Sequence, residues 1–383
     1  MTSARLPEPQ LDALRARRSA KWSMQDPDVI PLSIAEMDFD LAPPVREALS
    51  EAVARGDTGY AEICDVRSAF AEFADAQYGW SVATEDVRAV TDVGVGVVEL
   101  LRAAEATRLV LSSPVYPPFF GWAQEAGAEV VDVPLRRTET GMRLDLDRLR
   151  TVFEDGGVYL LCNPQNPTGT VHSPQELSDL AAMASRTGVL IISDEIHAPV
   201  TFAPSRFTPL LAVPGADECA IALHSASKAW NLAGLKCALA VTAAERTRTI
   251  SSRLPPDTRW RVGHFGALAS IAAFRDGREW HHRLLETLAL RRLELKELLA
   301  DSLPGMKWIP GDATYTAWID CSAYGTGREV ADWCLSKGRV AVEPGERFHA
   351  SSPHIRLNFA TGHDVLREAV ERMAIALVLR PQR

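Results

Sequence analysis

Between residues 87 and 241, short apolar runs alternate with segments of helical spacing, and this alternation constrains the fold more than any other feature of the chain. Val87-Arg88-Ala89-Val90, Leu109-Val110-Leu111, Val130-Val131-Asp132-Val133, Val158-Tyr159-Leu160-Leu161, Val189-Leu190-Ile191-Ile192, Ala220-Ile221-Ala222-Leu223 and Ala238-Leu239-Ala240-Val241 read as strands. Residues 175–186 place Leu177, Leu180, Ala181 and Ala184 on one side, the spacing of a helix with one buried face. Continuous apolar strands separated by helices predict an α/β fold whose mostly parallel sheet is covered on both faces. The last third reads differently. A long amphipathic helix is expected over about residues 279–303, with leucines at 284, 285, 288, 295, 298 and 299 in one stripe and Pro304-Gly305 as its stop. Shorter strands around residues 314–319, 340–342 and 355–357 and a helix over about 363–379 complete an α+β unit. The organisation expected is a large domain over 51–278, a small domain over 279–383, and an N-terminal segment, 1–50, that joins the small domain.

Bulk properties narrow the function. The chain has 383 residues and a formal charge of −9, which argues against general nucleic-acid binding, since that relies on many Lys and Arg contacts to phosphate. It holds no run of 18 apolar residues that would predict a membrane span, and residues 1–21 lack the apolar core of a signal peptide. The six cysteines are scattered with no Cys-x-x-Cys spacing, which suits reduced, mostly buried residues of a cytoplasmic protein. No His/Cys cluster has metal-ligand spacing, and the sequential pair His281-His282 is expected at the surface.

In open α/β sheets ligands bind at the carboxyl ends of the strands. Four motifs fall there. Ser225-Ala226-Ser227-Lys228 sets two hydroxyls beside a lysine, which suits a phosphate and an aldehyde held together; pyridoxal phosphate presents both groups. Gly94-Val95-Gly96-Val97, between a strand and a helix, would turn backbone N–H groups toward a phosphate or simply make a tight turn. Asn163-Pro164-Gln165-Asn166-Pro167-Thr168-Gly169 is either an Asn-Pro turn or a stiff loop in which Asn166 offers an amide N–H to a phenolic oxygen. Ser193-Asp194-Glu195-Ile196-His197 ends an apolar strand, where Asp194 is either a helix cap or the partner of a pyridinium N–H, with Glu195 and His197 behind it.

Asn166, Asp194 and Lys228 follow in that order, 28 and 34 residues apart. With the Asn-Pro-x-Asn-Pro-Thr-Gly loop and the Ser-x-Ser-Lys, the chain resembles fold-type-I pyridoxal-phosphate enzymes, the aspartate aminotransferase superfamily. Lys21-Trp22, Ala35-Glu36-Met37-Asp38-Phe39, Gly59-Tyr60, Pro114-Val115-Tyr116-Pro117-Pro118-Phe119, Asp194-Glu195-Ile196-His197-Ala198, residues 227–236 and Arg356-Leu357-Asn358-Phe359 narrow this to the MalY/PatB branch of cystathionine β-lyase-type C–S lyases. That resemblance spans about residues 20–378. It implies a large domain with a seven-stranded, mostly parallel sheet, a smaller α+β domain, and a homodimer with shared active sites. Lys228 would carry the cofactor as a Schiff base and then serve as general base. Asp194 would hold the ring nitrogen protonated, Tyr116 would stack on the ring, and Asn166 and His197 would also touch the cofactor. Backbone amides near Val97 and Val98, with Ser225, Ser227, Lys236 and the Tyr60 of a neighbouring subunit, would hold the phosphate. Arg356 would grip the substrate carboxylate, with Ala35 and Tyr60 also facing the substrate. Three features depart from the family pattern. The phosphate loop is Gly94-Val95-Gly96-Val97-Val98, not the Ser/Gly-rich version common in transaminases. His197 stands where aminotransferases usually carry Tyr, which favours a lyase. Glu36 stands where lyases of this branch often have Asp, which touches substrate choice. The implied activity is β-elimination of cystathionine or a related cysteine S-conjugate to thiol, pyruvate and ammonia. An aminotransferase of class I/II and a regulatory protein retaining the fold are the other two readings.

Overall fold

The computed structural model describes residues 5–139 and 141–379. Its strands are β1 (Ile30–Pro31), β2 (Val87–Val90), β3 (Arg108–Leu111), β4 (Glu129–Asp132), β5 (Arg136–Thr138), β6 (Gly141–Arg143), β7 (Val158–Cys162), β8 (Leu190–Asp194), β9 (Ala220–His224), β10 (Ala238–Val241), β11 (Thr316–Asp320), β12 (Val340–Ala341), β13 (Glu343–Pro344) and β14 (His354–Asn358). Seven of them form one sheet in the order β2-β10-β9-β8-β7-β3-β4. Its pairings are parallel except those of β10, which runs antiparallel to both β2 and β9. All seven were legible as apolar runs; the reversed direction of β10 has no signature in such a run.

The period of two along each strand divides the core into two layers. Tyr159, Leu161, Ile191, Ala220, Ala222 and Leu239 face one side. There they meet Phe70 and Phe73 of helix Cys64–Tyr78, Leu177 and Leu180 of helix Pro174–Thr187, and Phe274 of helix His264–Asp276. Val158, Leu160, Ile192, Ile221 and Leu223 face the other side, against Val97 and Leu100 of helix Val93–Ala103 and Phe119 of helix Pro118–Ala126. Every residue of β7, β8 and β9 is buried, as doubly covered parallel strands require. From β3 the chain passes to β4 on one side, and β7 adds on the other. The order of winding therefore reverses between β3 and β7, the place where such sheets open a crevice.

The C-terminal part builds a second, antiparallel sheet, β11-β14-β13, against helix Gly327–Ser336, on which helix His363–Val378 packs in turn. Near the N-terminus, β1 pairs in parallel with β12, Ile30 opposite Val340. The long helix spans Arg278–Ser302, and Leu284, Leu288, Leu295 and Leu299 form its buried stripe. His281 lies three residues before Leu284 and shares that stripe. It is buried, its Nε2 is 2.7 Å from the Pro199 carbonyl, and its ring packs against Trp230. The surface position expected for it is therefore wrong, while His282, one residue on and about 100° around the helix, is exposed. Among the described residues no helix is long and apolar enough to cross a membrane, and no group of His, Cys, Asp or Glu could hold a metal ion.

Candidate active site

A cavity of about 590 Å³ opens at the carboxyl ends of β7, β8 and β9, and Asn166, Asp194, Ser225, Ser227 and Lys228 all line it. Parallel pairing brings these residues together: Cys162 sits opposite Asp194, and Asp194 opposite Leu223, so the segments that follow leave the sheet side by side.

Lys228 Nζ donates to the Ala35 carbonyl at 2.9 Å. Burial, and then the Arg356 charge, push its ammonium down to about 8, against the opposing pull of Glu36 and Asp194. Asp194 is buried, and its carboxylate accepts one side-chain hydrogen bond among the described residues, from the Ile196 amide at 3.1 Å. Burial pushes its carboxyl up to about 7. His197 is buried with Nδ1 unpartnered, and burial holds its imidazole well below the usual range, so the ring is neutral. Tyr116 packs edge-on against Phe119 and Trp122, and burial raises its phenol.

Arg356 comes from the other sheet, on β14. Its Nη2 donates to the Ser33 carbonyl at 2.6 Å and its Nη1 to Asn166 Oδ1 at 3.4 Å, with the guanidinium 4.8 Å above the Phe348 ring. Its Nε is buried without a partner among the described residues. Because Asn166 Oδ1 is engaged, its NH2 is the group with no partner among the described residues.

At helix Val93–Ala103, Asp92 is the N-cap: Oδ1 accepts from Val95 N at 2.8 Å and Oδ2 from Lys236 Nζ at 2.9 Å. Gly96 N already bonds back to the Asp92 carbonyl. With Val95 N taken by the cap, the first-turn amides left without a bond are those of Val93 and Gly94, whereas Val97 and Val98 lie inside the helix. The helix begins four residues earlier than the apolar run suggests, because the glycines belong to it, and Val98 still lines the cavity. Gly94 is required there by packing, since a Cβ would come within 2.6 Å of the Trp122 ring. Ser225 Oγ donates to the Cys237 carbonyl at 2.7 Å and accepts from Ser227 N, so Ser227 is the serine with a hydroxyl hydrogen to give. Tyr60 is 79% exposed, edge-on to Trp260, and does not line the cavity of its own chain.

Ser33, Ile34 and Ala35 form another part of the wall, in a loop, 32–38, held almost wholly by donors from elsewhere. Asn358 Nδ2 donates to the Ile34 and Glu36 carbonyls, both at 2.7 Å, and Asn231 exchanges two bonds with the backbone of Met37. Tyr315 Oη donates to the Ala35 carbonyl at 2.9 Å. Below it, Asp38 takes Lys21 Nζ at 2.7 Å and Trp22 Nε1 at 2.8 Å in full burial, which explains the Lys21-Trp22 pair. Neither Tyr315 nor Asn231 announces a role in the sequence: Asn231 falls within the 227–236 motif, whereas Tyr315 carries no signal beyond that of a strand.

Residues 27–373 match the family model described as aminotransferase class I and II. The chain belongs to that family. Within it, the chain groups with cystathionine beta-lyases. It is 30% identical to the Corynebacterium glutamicum cystathionine beta-lyase over 96% of this chain and 99% of that one. It is 40% identical to a Mycobacterium leprae protein provisionally named a cystathionine beta-lyase, over 99% of each. A solved Corynebacterium diphtheriae structure, provisionally described as a PLP-dependent beta-cystathionase, superposes with a TM-score of 0.92 at 31% identity, covering 98% of this chain and all of that one. The family's cofactor is pyridoxal phosphate, and the cavity fits it on its own terms. Asp194 is a buried carboxylate short of donors, as a pyridinium N–H would require; Lys228 supplies an amine for the aldehyde; Lys236, Ser227 and the first-turn amides supply donors for a phosphate.

Proposed function

We propose that this protein is a C–S lyase that cleaves cystathionine or a related cysteine S-conjugate, with water, to thiol, pyruvate and ammonia. The observation that carries this reading is the convergence of Lys228, Asp194 and Arg356 in one buried cavity; the kinship with cystathionine beta-lyases selects elimination among the reactions that trio can support. Pyridoxal phosphate supplies an aldehyde for the substrate amine and a conjugated ring that withdraws electrons from Cα. Arg356, fixed by Ser33 and Asn166, pairs its guanidinium with the substrate carboxylate and so orients the α-C–H bond. Lys228 Nζ takes the proton from Cα, and a pKa near 8 lets a useful fraction be neutral at physiological pH. Asp194 keeps a proton at the ring nitrogen. The thiolate leaves from Cβ, and the remaining three-carbon fragment takes up water to give pyruvate and ammonia. Neutral, buried His197 adds no positive charge beside Lys228.

We further infer a cytoplasmic homodimer in which Tyr60, exposed on its own subunit, completes the partner's cavity. Purified protein given L-cystathionine and no keto acid is expected to release pyruvate and thiol; strict dependence on an added keto acid would replace this reading with a transaminase. Light scattering at micromolar concentration is expected to give twice the 41.9 kDa chain mass.

A further inference from the structure

Lys228 has two tasks in the function proposed above, and the second requires it to leave the cofactor and rest as a free amine inside a buried cavity. A buried amine needs an acceptor. The one it has is the Ala35 carbonyl, at 2.9 Å. That carbonyl belongs to no regular element. Within residues 32–38 the one local backbone bond is Glu36 N to the Ile34 carbonyl. That bond and the Asn358 grip on the flanking Ile34 and Glu36 carbonyls place the Ala35 peptide roughly, and the group that bonds to the Ala35 carbonyl itself beside Lys228 is the Tyr315 hydroxyl, also at 2.9 Å. Tyr315 is wholly buried, and its own carbonyl accepts from Phe359 N at 2.9 Å, which anchors the ring's backbone to the C-terminal sheet. Burial raises its phenol further above the usual range, so the O–H stays protonated and can only give its hydrogen to the carbonyl. The charged and titratable groups that act on Lys228 are Arg356, Glu36, Asp194 and His197; none of them makes a hydrogen bond to Nζ.

We propose that Tyr315 is a positioning residue for the base: its hydroxyl holds the Ala35 carbonyl as the seat on which the Lys228 amine rests while it handles the substrate's α-proton. The inference rests on the base role given to Lys228, and it assigns a task to a tyrosine that never touches substrate.

The test is Tyr315→Phe, which keeps the ring and removes the one hydrogen bond. With α-deuterated L-cystathionine, we expect kcat/KM to fall about tenfold, the worth of one buried hydrogen bond, and the primary isotope effect to rise, with KM within about twofold of wild type. A second readout does not depend on turnover. In protein stripped of cofactor with hydroxylamine, acetylation of Lys228 by limiting acetic anhydride, scaled to the exposed Lys296, is expected to rise severalfold. Tyr159→Phe, which removes another buried tyrosine hydroxyl bonded to Ser112, should change neither readout. An unchanged isotope effect with an unchanged Lys228 labelling ratio in Tyr315→Phe overturns the seat, whatever happens to kcat. α-Proton exchange of L-alanine in D2O separates this from the base role itself. Wild-type protein that exchanges nothing defeats that underlying reading, whereas exchange that survives Tyr315→Phe at full rate defeats only the seat.

Discussion

Two walls of the cavity face each other, and they are made of different chemistry. The wall at the ends of β7, β8 and β9 presents side chains: the Asn166 amide, the Asp194 carboxylate, the Ser227 hydroxyl and the Lys228 amine. The other wall, Ser33, Ile34 and Ala35, presents main-chain oxygens gripped by Arg356, Asn358 and Tyr315, with Asn231 holding Met37 behind it. A side chain that carries chemistry is lost outright when it is replaced. A main-chain oxygen survives any substitution at its own position and is lost only when its holders change. Substitution in the first wall should therefore strike turnover, and substitution behind the second should strike stability and geometry before chemistry.

The largest effect expected is at Lys228. Lys228→Ala removes the cofactor's anchor and the base together, so pyruvate release from L-cystathionine should fall by roughly 10⁴-fold or more, with loss of the visible absorbance of the bound cofactor. Asp194→Asn should keep the cofactor but lower kcat by about 100-fold, as removal of one preorganised charge does. Both proteins should unfold in urea at or above the wild-type midpoint. A folding defect in either would blur the distinction between the walls.

Next is Asp38, beneath the main-chain wall. Lys21 and Asp38 form a wholly buried pair, and Trp22 completes the carboxylate's bonding. Asp38→Ala leaves a buried ammonium unpaired, and breaking such a pair costs about 3–5 kcal/mol. Urea titration should show that loss. If the residual folded protein, measured at low temperature, retains most of its kcat, the second wall acts through stability; a loss of kcat as deep as that of Lys228→Ala would mean the two walls are not separable.

The same difference decides what could be read from the chain. Asp194 and Lys228 were legible because each is an ionisable residue at the end of an apolar run, where burial demands a partner. The strands themselves were legible for the same reason, as continuous apolar segments. The direction of β10 was not, since apolar character has no sense along the chain. The start of the phosphate-side helix was misplaced because Gly94 and Gly96 read as a turn, while Trp122, far along the sequence, needs the space of a glycine inside the helix. The sequential pair His281-His282 reads as a surface feature because the two cannot share a helix face, yet that same period puts His281 on the buried 281-284-288 stripe and turns His282 to solvent. The seat on Ala35 left no trace: alanine is silent about its carbonyl, and Tyr315 looks like any aromatic residue of a strand.

Arg356 joins the two walls, with one nitrogen on Ser33 and one on Asn166. Arg356→Lys keeps the charge and loses the fork, so it separates electrostatics from geometry. We expect KM for L-cystathionine to rise about 10- to 100-fold with a smaller fall in kcat. An equal fall in kcat with unchanged KM would move Arg356 from substrate binding to the chemical step.

The smallest effect is a stability change with the opposite sign to the activity change. Asp194 carries a carboxyl raised from 3.8 to about 7 by burial. Between those values the unfolded chain has lost the proton and the folded chain keeps it. Folding stability of cofactor-stripped protein should therefore fall as pH rises from about 4 to about 7, and the full cost should be present above 7. Asp194→Asn removes that ionisation without changing the shape. The variant should match wild type near pH 4 and exceed it near pH 8, by about 1 to 4 kcal/mol, the upper figure being the whole shift from 3.8 to about 7. Paired urea titrations at the two pH values measure this. A variant less stable than wild type at pH 8 would show that the Asp194 charge is already paired within the chain, and the case for a donor-poor carboxylate on the side-chain wall would be lost.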